Sequence, residues 1–503
     1  MNKSNDLLRF VMILSASLFM LCGRRQTPME GEKVLVRIGD KATITVNEFI
    51  ARAEYWPRPD YCRQNNYIDK KIVLNSLVAE KLMAMEAGED CPLLKNEGFQ
   101  LFLKGRKEQA MRQWMHHVEA TAKVKLDTAE IKKTFRLAGR EYELAYFSTR
   151  DTAVVNRFRK TAPRERDFEG LFQQIAGEAL PPTRKVAYDS PEAIAVHKAL
   201  FSQPLQVGQI LEPIKLETGD YLFIKILGWS DNLAVTETQQ QQRLDKVKEK
   251  LTQVHASEIW TKRVAQIMKG KRLDFNPEVF RRVSQMLFKV YFRTDEERKD
   301  QLAGKIWQIE EKDMQLALED MPDEQFKQQP FFQIDGQVWT VADFQRALLY
   351  HPLVFRERRF PSDQFAEQLR LAIADLVRDE YVTREAYKRG YDRVPAVERH
   401  TAMWRDAYLA LYQRAQYLKS VGETRNFNKN YHDILATRLN PYVRSLFQKH
   451  YKKIELDFDA FENIALTSID MLVKQPEQPF KYPVPNFPIL TSEHLIDYAT
   501  RMK

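Results

Sequence analysis

The chain has 503 residues, with 78 Lys+Arg against 69 Asp+Glu and a formal net charge of +9. A hydrophobic content of 44% beside 29% charged residues excludes a wholly disordered chain, and the length exceeds one ordinary core, so two to four domains are expected. The basic residues are interspersed and form no run with interleaved aromatics, a pattern that excludes nucleic acid as a partner, and three cysteines (Cys22, Cys62, Cys91) are too few for a disulfide framework.

The first element is an export signal. Lys3 and Arg9 precede an apolar run, Phe10 to Leu21, that Cys22 closes. The run is shorter than the ~20 residues a spanning helix needs. A cysteine in this place resembles a bacterial lipobox, with Leu21 departing from the small residue usual before it. Residues 1–25 are read as a signal with Cys22 as the lipidation site, a short uncleaved signal anchor being the alternative. Either way the chain beyond residue 26 is expected outside the cytoplasm and tethered to a membrane. Cys62 and Cys91 are then left to pair or to remain free thiols.

Val34 to Glu48 alternates apolar and polar residues about a Gly39-Asp40 turn, which predicts a hairpin, and Thr45 with Glu48 has capping-box spacing for the helix that follows. Helices are predicted over about 69–87, where Ile72, Leu74, Leu77, Val78, Leu82 and Met85 share a face, and over about 97–122. The same order recurs later. Phe331 to Phe344 repeats the hairpin about Asp335-Gly336, and Gln364 to Ala386 and Thr401 to Tyr417 repeat the two helices. Each copy has a closing signature, Lys271 to Phe280 (KRLDFNPEVF) and Lys453 to Phe461 (KIELDFDAF), a short strand followed by a helical turn. The expected fold class is α+β, with two related, mostly helical modules. The first spans 26–126 and is completed by 231–285. The second spans 331–465, after a helical linker over 286–330. An insertion over 127–230 has no counterpart in the second copy. The tail, 466–503, contains the stretch Lys481 to Pro488, whose prolines do not suit a helix.

The opening hairpin-helix (GDKATITVNEF), the helix DKKIVLNSLVAEKLMAMEA and the segment LDTAEIKKTF resemble the N-terminal region of SurA/PrsA-type chaperones. In that family such a segment leads into a parvulin (PpiC-type) prolyl isomerase domain. The insertion is similar to one: a first strand at Tyr142 to Ser148, helices at Thr152 to Lys160 and Asp167 to Ala176, a helix-turn-strand over Ala199 to Ile214, and a closing strand at Gly219 to Ile226. The resemblance implies a small antiparallel sheet packed with helices. It also implies a folding chaperone on the periplasmic face of a bacterial membrane, lipid-anchored to the outer membrane. Its partners would be unfolded or nascent exported proteins, the membrane through its anchor, and envelope assembly machinery.

Active parvulins use two histidines from the first and last strands, with a methionine and a phenylalanine gripping the proline ring. The resemblance places these four positions on Leu144, Leu222, Glu192 and Val196, so every catalytic position is substituted and the domain reads as degenerate. His197, the one histidine between Leu126 and Gly228, is read as a surface residue of its helix. There is no HExxH, CxxC, P-loop or GxSxG, and no cofactor or metal is expected. What remains is a binding surface, for which Tyr55, Trp56, Trp114, Trp339, Tyr350 and Phe355 are candidates. An active isomerase and a lipoprotein scaffold subunit are the two alternatives the residues leave open.

Overall fold

A computed structural model describes residues 33–161, 167–177, 180–292, 324–357, 360–466, 483–498 and 500–502. Segment 1–25 with Cys22, residues 293–323 of the expected linker and 467–482 of the tail lie outside the described residues. The fold is α+β, mostly helical with three small sheets. The strands are β1 (Val34–Ile38), β2 (Ala42–Thr45), β3 (Arg140–Thr149), β4 (Thr183–Ala187), β5 (Ile214–Lys215), β6 (Tyr221–Asp231), β7 (Leu273–Phe275), β8 (Pro330–Ile334), β9 (Gln337–Thr340), β10 (Ile454–Leu456) and β11 (Thr500–Arg501). Among the described residues, no helix is long and apolar enough to cross a membrane.

The chain divides into two compact units. One is built from residues within 33–89, 406–466 and 483–502, the other from residues within 90–405. In the first unit the predicted hairpin forms, with Gly39 at φ 53° in its turn, and Thr45 accepts from the Glu48 amide at 3.1 Å. Only that arm of the expected capping box is seen, because the Glu48 carboxylate instead pairs with Lys81 at 3.0 Å. Helix Tyr67–Ala87 starts two residues earlier than predicted, where Asn66 accepts from the Asp69 amide at 2.8 Å. The helix is buried on nearly all sides, as an element at the centre of a core is.

The second unit holds two sheets. One has the order β4-β3-β6-β5, with every neighbour antiparallel, and the other the order β7-β8-β9. The β8–β9 turn places Asp335 at φ 53° and Gly336 at φ 75°, and here the capping box of Thr340 with Asp343 is complete. Helix Phe365–Lys388 lies where a helix is expected over Gln364 to Ala386, and the long helix Glu237–Ile267 follows β6.

The expected grouping of modules is corrected by the strand pairing. The hairpin β1–β2 is not closed by β7 at 273–275 but by β10, with Val36 opposite Leu456 and Ile38 opposite Ile454. The hairpin β8–β9 is closed by β7, with Phe275 opposite Phe332. Thus 26–126 is not completed by 231–285, and 331–465 is not one module; each hairpin takes the closing strand of the other copy. Loop closure hardly discriminates, since its cost grows only as the logarithm of loop length. Side-chain chemistry does. Aliphatic β1 takes aliphatic β10, while Phe331 and Phe332 of β8 take Phe275 and Phe280, with ring centroids 5.8–6.3 Å apart. Both Cys62 and Cys91 are free, buried thiols.

The crossed pairing has a measurable consequence. Phe461, fully buried, meets Phe49 and Tyr67 edge-on at 6.0 and 5.9 Å. Phe461→Ala is expected to cost about 3–5 kcal/mol. Hydrogen exchange should then show lost protection in hairpin 34–45 and unchanged protection in hairpin 330–340. The opposite distribution would contradict the pairing.

Candidate functional site

The sheet β4-β3-β6-β5 carries a helix layer on each face. Helix Ile194–Phe201 covers a core that includes Tyr142, Leu144, Val186, Leu222, Ile224 and Ile226. Helices Thr152–Lys160 and Phe168–Ala176 cover the other, where Phe147, Phe158, Phe168, Phe172 and Phe223 pack ring to ring. Alternation along β3 sends Tyr142 and Leu144 to one face and Ala145 and Phe147 to the other. The register with β6 shifts between Glu143 and Leu144, where Leu227 of β6 has no partner and β6 carries the extra residue.

Three of the four carried-over positions meet in the first of these cores. Leu144, Val196 and Leu222 are 0%, 1% and 6% exposed, so all three are core residues on the face that helix Ile194–Phe201 covers. Glu192 does not join them. It precedes the helix, and its carboxylate forms a fork with Arg184 at 2.8 and 2.9 Å. Its charge is therefore paired, not buried alone. Arg184 sits opposite Leu144 in register, and its guanidinium lies 4.8 Å from the Tyr146 ring centroid.

The expected surface position of His197 is corrected: the residue is 4% exposed. Its Nε2 donates to the Tyr188 carbonyl at 3.1 Å, and its ring packs against Tyr188 and Phe201. Helical periodicity turned it inward because Val196, Leu200 and Phe201 share that side. Burial, aided by the Lys250 charge, pushes its pKa down to about 4 against the pull of the carbonyl. The cleft beside it also receives His255, which sequence reasoning missed because this residue comes from helix Glu237–Ile267, beyond the inserted domain. His255 Nε2 lies 3.0 and 3.1 Å from the Glu130 carboxylate oxygens, which ties helix Thr128–Leu137 to the long helix.

The six aromatic candidates separate by environment. Tyr55 and Trp56 lie edge-on in the first unit, 5.4 Å between centroids, and the Trp56 indole donates to the Val484 carbonyl at 2.9 Å. Trp339 is a core residue, stacked on Phe332 at 5.2 Å, which corrects its assignment to a binding surface. Trp114 packs beside Ala110, Met111 and Met115 of its own helix. The Lys104 ammonium lies 3.7 Å from the Tyr350 ring centroid. Phe355 belongs to an aromatic cluster with Tyr291, Phe360 and Phe365, at 4.8, 5.5 and 5.8 Å. Phe288 and Phe292 complete this cluster, and Phe292 is 42% exposed. Its signal is present in the sequence as FKVYF, residues 288–292, which fall in the stretch expected as a linker. Among the described residues, no group of three or more His, Cys, Asp or Glu is placed to hold a metal ion.

No family model and no curated protein matches the chain. Two solved structures align with it, PrsA from Bacillus subtilis at 17% identity and the foldase protein PrsA from Lactococcus lactis at 13%. Each alignment covers 46% of this chain and 93% of the other, at a TM-score of 0.16, too loose to carry function across.

The burial of His197 sets a pH dependence. Its folded pKa lies below the ordinary 6.5, so the neutral form contributes stability above pH 6.5 that is lost as pH falls toward 4. Relative to His197→Gln, the wild type should lose roughly 3 kcal/mol across that window. Urea denaturation of both proteins at a series of pH values checks this; parallel pH profiles would refute it.

Proposed function

We propose that the chain is an ATP-independent holdase for exported proteins, with a parvulin-like sheet domain that lacks prolyl isomerase activity. The observation that carries this reading is the aromatic cluster of Phe288, Tyr291, Phe292, Phe355, Phe360 and Phe365, which reaches solvent at Phe292, and Val354, next to Phe355 in the chain, is 67% exposed. Clustered aromatic surface of this kind takes apolar segments with little demand on their sequence. The order strand, two helices, strand, helix and two strands supports the parvulin likeness of the sheet domain. The aliphatic fill at Leu144, Val196 and Leu222 supports its loss of catalysis. Isomerisation requires lowering a barrier of ~18–20 kcal/mol by polar contact with a twisted peptide bond, and leucine and valine side chains neither donate nor accept a hydrogen bond.

We further propose a place in the cell envelope, with Cys22 as the membrane anchor. The support is the Lys3/Arg9 region, the apolar run and the cysteine that closes it.

Two experiments test this reading. The purified protein should leave the isomerisation rate of a proline tetrapeptide at its uncatalysed value while suppressing aggregation of an unfolded outer-membrane protein. Phe292→Asp should raise the concentration needed for suppression on the order of tenfold, the equivalent of about 1.4 kcal/mol. Catalysed isomerisation, or suppression untouched by that change, removes the respective half of the proposal. In cells, Cys22→Ser should shift the protein from the membrane fraction to the soluble fraction. Retention at unchanged apparent mass would identify a signal anchor.

A further inference from the structure

The segment 483–498 carries no helix or strand, yet half of its residues are buried in the first unit. Pro483, Pro485 and Pro488 hold their own φ near −65° and bias the residues before them to extended backbone. Val484, Phe487 and Leu490 are 1%, 6% and 0% exposed, and the last two join the core built around helix Tyr67–Ala87.

The polar contacts of this segment follow one rule. Side chains of the surrounding body donate to its main-chain carbonyls. Trp56 Nε1 donates to Val484 at 2.9 Å, Arg52 Nη2 to Asn486 at 2.9 Å, and Arg414 Nη1 to Ile489 at 3.3 Å. Ser76 Oγ donates to Thr491 at 3.3 Å and Asn75 Nδ2 to Glu493 at 2.6 Å. A carbonyl is present in every residue, proline included, so these five contacts read direction and spacing but no side chain. The donors are set in advance. Arg52 is fully buried and forks onto Glu80 with both contacts at 2.7 Å, which leaves Nη2 aimed at the Asn486 carbonyl. Outside this segment, Thr500–Arg501 form β11, a strand paired parallel with β10 on its outer side.

We propose that this groove is a binding site for extended, apolar, proline-containing peptides, and that residues 483–498 are its resident occupant, exchangeable for another peptide of the same chemistry. Side-chain readout is confined to one end, where Arg444 pairs with Glu493 at 2.8 Å and Asn440 contacts Thr491 and Ser492. Over 484–490 the groove asks only for carbonyls at the right spacing and apolar groups at three positions. Unfolded exported chains supply both. The identity of the exchanging peptide as a client rests on the holdase reading; the existence of the site does not.

The test uses the full chain and a fluorescein-labelled peptide of residues 483–498. The double substitution Phe487→Asp and Leu490→Asp in the chain loosens the resident segment and leaves the groove intact. It should tighten binding of the wild-type-sequence peptide at least about tenfold, while a peptide carrying the same two substitutions binds neither protein. Unchanged affinity overturns the proposal. Should the double variant fail to fold, hydrogen exchange of the unmodified chain decides. Amides of 490–498 that exchange well before those of helix Tyr67–Ala87 support an exchangeable occupant. Exchange only together with that helix overturns it. An aggregation assay separates the two readings. Peptide binding without suppression keeps the site and removes the holdase; suppression that neither the variant nor excess peptide alters keeps the holdase and removes the site.

Discussion

Everything in the first unit depends on β1 meeting β10. Arg37 and Glu455, opposite each other in this pairing, are 418 residues apart. Until that contact forms, the hairpin has one paired edge, and Val36, Ile38 and Ile44 have no complete core to enter. The segment from 90 to 405 is in effect an insertion into the first unit. Such an insertion is thermodynamically tolerable because closure entropy rises so slowly with length. It is kinetically demanding, since non-local contacts form late. The pairing of β7 with β8 joins Phe275 to Phe332 over a far shorter stretch, and it gives the middle of the chain a way to complete its own sheet first.

Buried charges act as addresses for the late-arriving segments. Lys81 sits between Glu48 at 3.0 Å and Asp406 at 3.2 Å. Burial alone would push its pKa down, but the two carboxylates hold it above the ordinary value. Lys70 donates to the carbonyls of Phe461, Glu462 and Ile464, closing the end of helix Phe458–Asn463. Such pairs add little net stability against apolar replacements, yet leaving one partner alone costs about 3–5 kcal/mol. A wrongly docked segment would incur that cost, whereas hydrophobic contact alone would accept many registers. The chemistry that closes the long loop is thereby specific without the loop itself being short.

Local structure was largely legible in the sequence because its causes are local. Gly39 and the Asp335-Gly336 pair announced their turns, and Asp167 and Gly177 bracket the helix Phe168–Ala176 as cap and left-handed stop. The repeat of hairpin, helix and closing strand was legible for the same reason. Which closing strand serves which hairpin was not, because KRLDF and IELDF present the same pattern of strand and turn. The choice lies in ring-against-ring and aliphatic-against-aliphatic packing over hundreds of residues. In the candidate site, the apolar character of Leu144, Val196 and Leu222 was plain in the sequence, but the Arg184–Glu192 fork required the β3–β4 register. The inward turn of His197 was open to inference from its apolar helix neighbours. The arrival of His255 from a distant helix was not.

The sheet domain and the 483–498 groove solve opposite problems with the same groups. A catalytic pocket must keep polar side chains near a desolvated peptide bond, and each such group is costly unless satisfied. Leu144, Val196 and Leu222 carry no such cost, and they pack as core between the sheet and helix Ile194–Phe201. The groove keeps its polar side chains buried but satisfies them on backbone carbonyls and on each other, as Arg52 does with Glu80 and Asn486. Asn75 does the same, donating to Glu493 and accepting from the Tyr498 hydroxyl at 2.8 Å. A buried donor that needs a carbonyl destabilises an empty groove. Some peptide must therefore sit there whenever the unit is folded, and a resident segment meets that requirement when no other peptide is at hand.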